Sequence, residues 1–110
     1  MVFASNSLVL AVPDGSDISS IENLTAPGTT IAVGDPEVPV GSYTREVLGR
    51  LPPEQSEAIL ENVRSQEPDV GGIVGKLTQG AVDAGFVYVT DVTSTDGALQ
   101  AIELAPALQP

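Results

Sequence analysis

Three short apolar runs, each closed by turn-forming or polar residues, restrict what this chain can fold into. Leu8-Val9-Leu10-Ala11-Val12 stops at Pro13-Asp14-Gly15, Thr29-Thr30-Ile31-Ala32-Val33 stops at Gly34, and Gly85-Phe86-Val87-Tyr88-Val89 leads into Thr90-Asp91. Runs of this length with such boundaries read as buried strands. Leu99 to Leu104 reads as a last strand, and Val63-Arg64-Ser65 as either a short strand or an extended link. Helical patterns fill the gaps. Val70, Ile73, Val74 and Leu77 recur at i, i+3, i+4 and i+7, with Asp69 placed to cap the start and Gly80 to follow the end. Tyr43, Val47, Leu48 and Leu51 share one face of a helix expected to begin near Gly41 or Ser42. Pro52-Pro53 ends that helix and can open the next, whose inner side carries Ala58, Ile59, Leu60 and Val63. Ser19-Ser20-Ile21-Glu22 fits a capping box with Ser19 as the cap, followed by a short helix to Leu24 or Thr25. The tail from Pro106 to Pro110 shows no pattern.

Strands alternating with helices over connections of this length predict an α/β fold with a mainly parallel sheet and helices on both faces. Aromatic residues are only 4% of the chain, so the core must be aliphatic, which suits strands covered by helices. A length of 110 residues fits one domain spanning residues 1–110.

The charge balance excludes several functions. Four basic residues against fifteen acidic ones give a formal net charge of −11. There is no basic surface to displace counterions from phosphates, which argues against nucleic acid and against anionic membranes. No apolar run is long enough to span a bilayer, so no membrane insertion is expected. Met1-Val2-Phe3-Ala4-Ser5-Asn6 lacks the regions of a signal peptide. Cysteine and histidine are absent, which removes thiolate metal sites, the thiol nucleophile and the commonest general base. We therefore expect no enzyme, no catalytic residue, no resident cofactor and no protein-bound metal ion.

Several local patterns that suggest a site have plainer explanations. Asp35 and Glu37 could form a carboxylate pair, but a solvated acidic turn accounts for them more simply. Gly71-Gly72-Ile73-Val74-Gly75-Lys76 is one residue short of a phosphate-binding loop, and Leu77 replaces the Ser or Thr that would meet Mg²⁺. Its helical periodicity explains it better, and the cost of Gly75 in a helix is ascribed to close packing. Asn23-Leu24-Thr25 matches a glycosylation sequon, a pattern common by chance.

The loop Gly34-Asp35-Pro36-Glu37-Val38-Pro39-Val40-Gly41 stands out. It leaves a strand and opens a helix, and the first turn of a helix carries backbone N–H groups without intrahelical acceptors. Those groups and the helix dipole suit an anion. The same holds at Asp69-Val70. Tyr88 lies near the end of a strand on the same expected edge. The residues alone leave it open between a half-buried strand tyrosine and a hydrogen-bond donor.

Three stretches together resemble the periplasmic molybdate-binding proteins of ABC importers: Phe3-Ala4-Ser5-Asn6-Ser7-Leu8-Val9-Leu10-Ala11-Val12-Pro13, Ala32-Val33-Gly34-Asp35-Pro36-Glu37-Val38-Pro39-Val40-Gly41 and Ala84-Gly85-Phe86-Val87-Tyr88-Val89-Thr90-Asp91. Order and spacing match as well. The resemblance implies a two-lobed protein holding an oxyanion between its lobes, with this chain as the second lobe and the serine-bearing loops of the first lobe elsewhere. It implies molybdate or tungstate as ligand, a membrane permease as partner and a periplasmic or extracytoplasmic location for the parent. It carries over three contacts: backbone N–H donors at Val40 and Val70, and the hydroxyl of Tyr88. Many relatives have Ala where this chain has Val40, a change that a backbone donor tolerates provided the larger side chain stays out of the cleft.

Two functions from different classes follow. The first is an oxyanion-binding lobe, incomplete as a site on its own. The second is a stand-alone interaction or regulatory domain that reuses the fold, with no oxyanion bound and with a homodimer covering the exposed face.

Overall fold

The computed structural model describes residues 7–108. The readings made on Met1 to Asn6 and on the last two residues lie outside that range. Five strands form one sheet: β1 (Leu8–Pro13), β2 (Ile31–Gly34), β3 (Val63–Glu67), β4 (Ala84–Tyr88) and β5 (Leu99–Glu103), in the order β3-β2-β4-β1-β5. Four helices accompany them: α1 (Pro39–Gly49), α2 (Pro53–Glu61), α3 (Val70–Thr78) and α4 (Val89–Thr93).

The α/β class holds, and the sheet is mixed. β2 pairs in parallel with β3 and β4, while β1 runs antiparallel to both β4 and β5. The chain goes from β2 through α1 and α2 to β3 on one side, then through α3 across β2 to β4 on the other. Right-handed crossovers in opposite directions put α1 and α3 on opposite faces of the sheet. The parallel strands β2 and β4 are buried throughout except at Tyr88, as strands covered on both faces must be.

The core is aliphatic around Phe86, with Leu10, Leu24, Ile31, Leu48, Ile59, Ile73 and Leu77 almost fully enclosed. Gly85 lets α3 lie close on the sheet, because a Cβ there would stand 2.7 Å from Ile73 Cγ2 and 3.3 Å from Leu77 Cδ1. Buried Asn62 is satisfied by donating to Leu24 O at 2.7 Å and Ala26 O at 3.0 Å, which ties the end of α2 to the turn before β2.

Local differences from the sequence reading have physical causes. α1 starts at Pro39, two residues before the expected Gly41, because proline is already set for the first helical position and needs no N–H there. Tyr43 faces outward at 42% exposure, and Thr44 takes the inner position, its hydroxyl donating to Val40 O at 2.7 Å. Leu60 is also outside, at 46% exposure. The first helix is a 3₁₀ turn, Ile21–Thr25, capped by Ser20 rather than Ser19, and Asn23 Oδ1 accepts from both serine amides where Glu22 was expected. Val63–Glu67 is a strand. Pro106–Leu108 forms another 3₁₀ turn. Gly75 has open space around it, so close packing does not account for it. Gly72 is the crowded glycine of α3, with Glu67 Cβ 3.0 Å from where its own Cβ would be.

Candidate functional site

β3, β2 and β4 are neighbours and run the same way, so their C-terminal ends share one edge of the sheet. Gly34 pairs with Glu67, and Ala32 pairs with Gly85, which puts Tyr88 about one residue beyond that level. At about 4.8 Å between strands, the three loops leave from roughly 10 Å of edge. Val40, Val70 and Tyr88 lie on the segments that leave it, so the topology brings together the three residues singled out from the sequence.

The loop after β2 is set by close approach. Asp35 N donates to Glu67 O at 2.8 Å, and Val38 N donates to Asp35 O at 3.1 Å. The first helical bond of α1 runs from Ser42 N to Val38 O at 2.9 Å. Pro39 has no N–H, which leaves the amides of Val40 and Gly41 as the first-turn donors without an intrahelical acceptor. The Val40 side chain is buried, and its Cγ1 lies 2.6 Å from where a Cβ on Gly34 would be. Its extra bulk over Ala therefore goes into the space that Gly34 leaves. Gly41 is equally constrained: a Cβ on it would stand 2.6 Å from the Asp35 carbonyl carbon and closer still to the Asp35 and Gly34 oxygens.

The loop after β3 ends at Asp69, the N-cap of α3, whose Oδ1 accepts from Gly72 N at 2.9 Å. Val70 and Gly71 keep the open first-turn amides there. Nearby, Glu67 carries a hydrogen bond from Ser65 and an ion pair with Lys76 at 3.2 Å. The Ser65 hydrogen bond, then Lys76, hold the Glu67 carboxyl below the usual carboxylate value. That carboxylate is engaged by its own neighbours at the end of β3.

Tyr88 closes the set. Gly85 faces α3, so Tyr88, three residues along the strand, faces the side of α1. Burial raises its hydroxyl pKa above the ordinary tyrosine value, with smaller contributions from the Tyr43 hydroxyl and the Asp91 carboxylate. Tyr88 is thus a neutral hydroxyl at physiological pH and available as a donor. Tyr43, expected on the inner face of α1, is exposed instead. A further missed element is α4: Asp91 Oδ2 accepts from Tyr88 N at 2.9 Å and turns the chain away directly after the tyrosine.

Among the described residues no group of His, Cys, Asp and Glu could hold a metal ion. What this edge offers is a set of uncharged donors: backbone amides at two helix starts and one phenol. Such a set can bind an anion by contact without a formal positive charge.

The family model for bacterial extracellular solute-binding proteins matches residues 1–110. The chain belongs to this family. The molybdate-binding protein ModA of Mycobacterium tuberculosis is 37% identical over 94 residues, which cover 84% of this chain and 34% of that protein. A substrate-binding lipoprotein of Bacillus subtilis assigned to an ABC transporter, YvgL, is 37% identical over 92 residues, covering 78% of this chain and 33% of its own length. Among solved structures, a substrate-binding domain from Clostridium difficile assigned to a molybdenum ABC transporter superposes with a TM-score of 0.82 at 28% identity, covering 96% of this chain and 46% of that one. PEB3 with L-phospholactate bound gives the same TM-score at 14% identity, a likeness of fold alone. The chain spans about a third of the length of the curated relatives it matches. No helix among its described residues is long and apolar enough to cross a membrane.

Proposed function

We propose that this chain is one wall of an oxyanion-binding cleft, taking molybdate or tungstate for delivery to an ABC permease outside the cytoplasmic membrane. The observation that carries the reading is the convergence of the α1 start, the α3 start and Tyr88 on one sheet edge. In this reading Val40 and Val70 donate backbone N–H groups to the anion and Tyr88 donates its hydroxyl. Binding is reversible and involves no chemistry, and the ligand enters as an intact oxyanion rather than as a metal ion with protein ligands. The 37% identity to ModA supports the ligand class.

A net charge of −11 does not oppose this. Screening limits surface charge to a reach of about 8 Å at physiological salt, whereas amide donors act at contact. One wall supplies only part of the donors and leaves the anion open to water, so the chain alone should bind weakly. The test is calorimetric titration of molybdate, tungstate and sulfate into the 110-residue chain and into the full-length gene product. The expected result is tight molybdate or tungstate binding by the full-length product and little or none by the chain alone. A full-length product that ignores all three anions would overturn the proposal.

A further inference from the structure

Arg45 is one of only four basic residues in the chain, and it is partly buried on α1, one turn beyond the donors of the first loop. Its Nη1 donates to Gly34 O at 3.0 Å and to Gly41 O at 3.0 Å. Gly34 O is the last carbonyl of β2, and Gly41 O belongs to the first turn of α1. The guanidinium therefore bridges the strand end to the helix start, across the loop whose Val40 and Gly41 amides have no intrahelical acceptor.

The position has an electrostatic consequence. The Gly34 and Asp35 carbonyl oxygens stand where a Cβ on Gly41 would have to go, and Gly41 O lies on the same turn; Asp35 O accepts from Val38 N, while Gly34 O and Gly41 O meet the guanidinium. Three carbonyl oxygens, each the negative end of a dipole, are thus gathered beside the first turn that carries the Val40 and Gly41 amides. Left alone, they would oppose an anion and would push the strand end and the helix apart. The guanidinium, donating from one nitrogen to two of these oxygens, counters both effects, since charge-assisted hydrogen bonds are about twice as strong as neutral ones.

We infer that Arg45 is a positioning residue for oxyanion binding: it fixes the Val40 and Gly41 amides and offsets the carbonyl cluster beside them, without touching the ligand itself. The inference rests on the oxyanion-cleft reading for its affinity effect, while the positioning can be read without any ligand.

The experiment compares Arg45→Met, Arg45→Gln and Arg45→Lys in the full-length gene product. It measures molybdate affinity by calorimetry, its dependence on salt, the urea midpoint, and the amide chemical shifts of Val40 and Gly41. Arg45→Met should weaken binding about tenfold or more, the scale expected for losing hydrogen bonds from a charged group. Arg45→Lys keeps the charge and should recover most of that loss. The Val40 and Gly41 amide signals should move in Arg45→Met even with no anion added. Affinity within about twofold of wild type in a folded Arg45→Met protein would overturn the inference, as would an Arg45→Lys variant no better than Arg45→Met. If Arg45→Met does not fold, Arg45→Gln takes its place with the same criteria. A wild type that binds no oxyanion would defeat the cleft reading alone. Unmoved Val40 and Gly41 amides in the variants would defeat the positioning role alone.

Discussion

Gly41→Ala offers the most direct test of how the first loop is built. The new methyl carbon would sit 2.6 Å from the Asp35 carbonyl carbon and nearer still to two carbonyl oxygens. Those obstacles are backbone atoms, held by Val38 N donating to Asp35 O and by Arg45 donating to Gly34 O, so no rotamer change relieves the clash. Overpacking of this kind costs about 3 kcal/mol at the upper end of its usual range. Ala in place of Gly returns about 1 kcal/mol through helix propensity. The net expectation is a loss of about 2 kcal/mol, which in a domain of this size lowers the thermal midpoint by about 10 °C. Urea unfolding followed by far-ultraviolet circular dichroism measures it, with the slope checked against wild type so that a change in midpoint can be read as stability. A variant within about 0.5 kcal/mol of wild type, the range of ordinary surface substitutions, would refute the reasoning. It would mean that the α1 start can slide away from β2, and that the Val40 amide is not held as described.

Gly75→Ala should do the opposite. Nothing lies within 4 Å of the added carbon, so helix propensity acts alone and the same urea assay should show a gain of up to about 1 kcal/mol; a loss would reveal a contact the geometry does not contain. Tyr88→Phe should leave the urea midpoint nearly unchanged while weakening molybdate affinity of the full-length product about tenfold, as expected for a lost hydrogen bond to a charged ligand; unchanged affinity in a calorimetric titration would remove Tyr88 from the site. Glu67 has a carboxyl pKa lowered in the folded state, so its contribution is present above the ordinary value of 4.5 and is lost as pH falls through the folded value. The stability advantage of wild type over Glu67→Gln should therefore be full at neutral pH and shrink below pH 4.5; an advantage that stays constant on acidification would show that Ser65 and Lys76 do not favour the charged form.

Much of the fold could be read from local pattern because the physics was local. Each apolar run needs burial on both faces, and Val70, Ile73, Val74 and Leu77 define a face only as a helix. Asp69 was legible as a cap because a carboxylate one residue before such a helix has an obvious amide to accept from. The direction of β1 was not legible, since an apolar run says nothing of its neighbour. The phase of α1 failed for a similar reason. A tyrosine at position 43 looks like a better core residue than a threonine at 44, until Thr44 finds Val40 O for its hydroxyl and Tyr43 turns outward. α4 was hidden because Val-Thr-Asp-Val-Thr is rich in β-branched residues that favour strands, and one side-chain bond from Asp91 starts it. At the site, the residue positions were readable and their support was not. The double hydrogen bond of Arg45 Nη1 to two carbonyls and the fit of Val40 against Gly34 join residues whose partnership has no sequence signature.

The antiparallel course of β1 has a mechanical consequence. Leu8 stands opposite Tyr88, and Glu103 stands opposite Val9, so the start of β1 and the finish of β5 both lie at the edge that carries Val40, Val70 and Tyr88. Under the proposed cleft reading, a pivot at those two strand ends would lie only a few strand spacings from the anion. With so short a lever arm, a small rotation would displace the donors little and turn them by the full angle, so closure would act on the angle of the hydrogen bonds before it acts on their length.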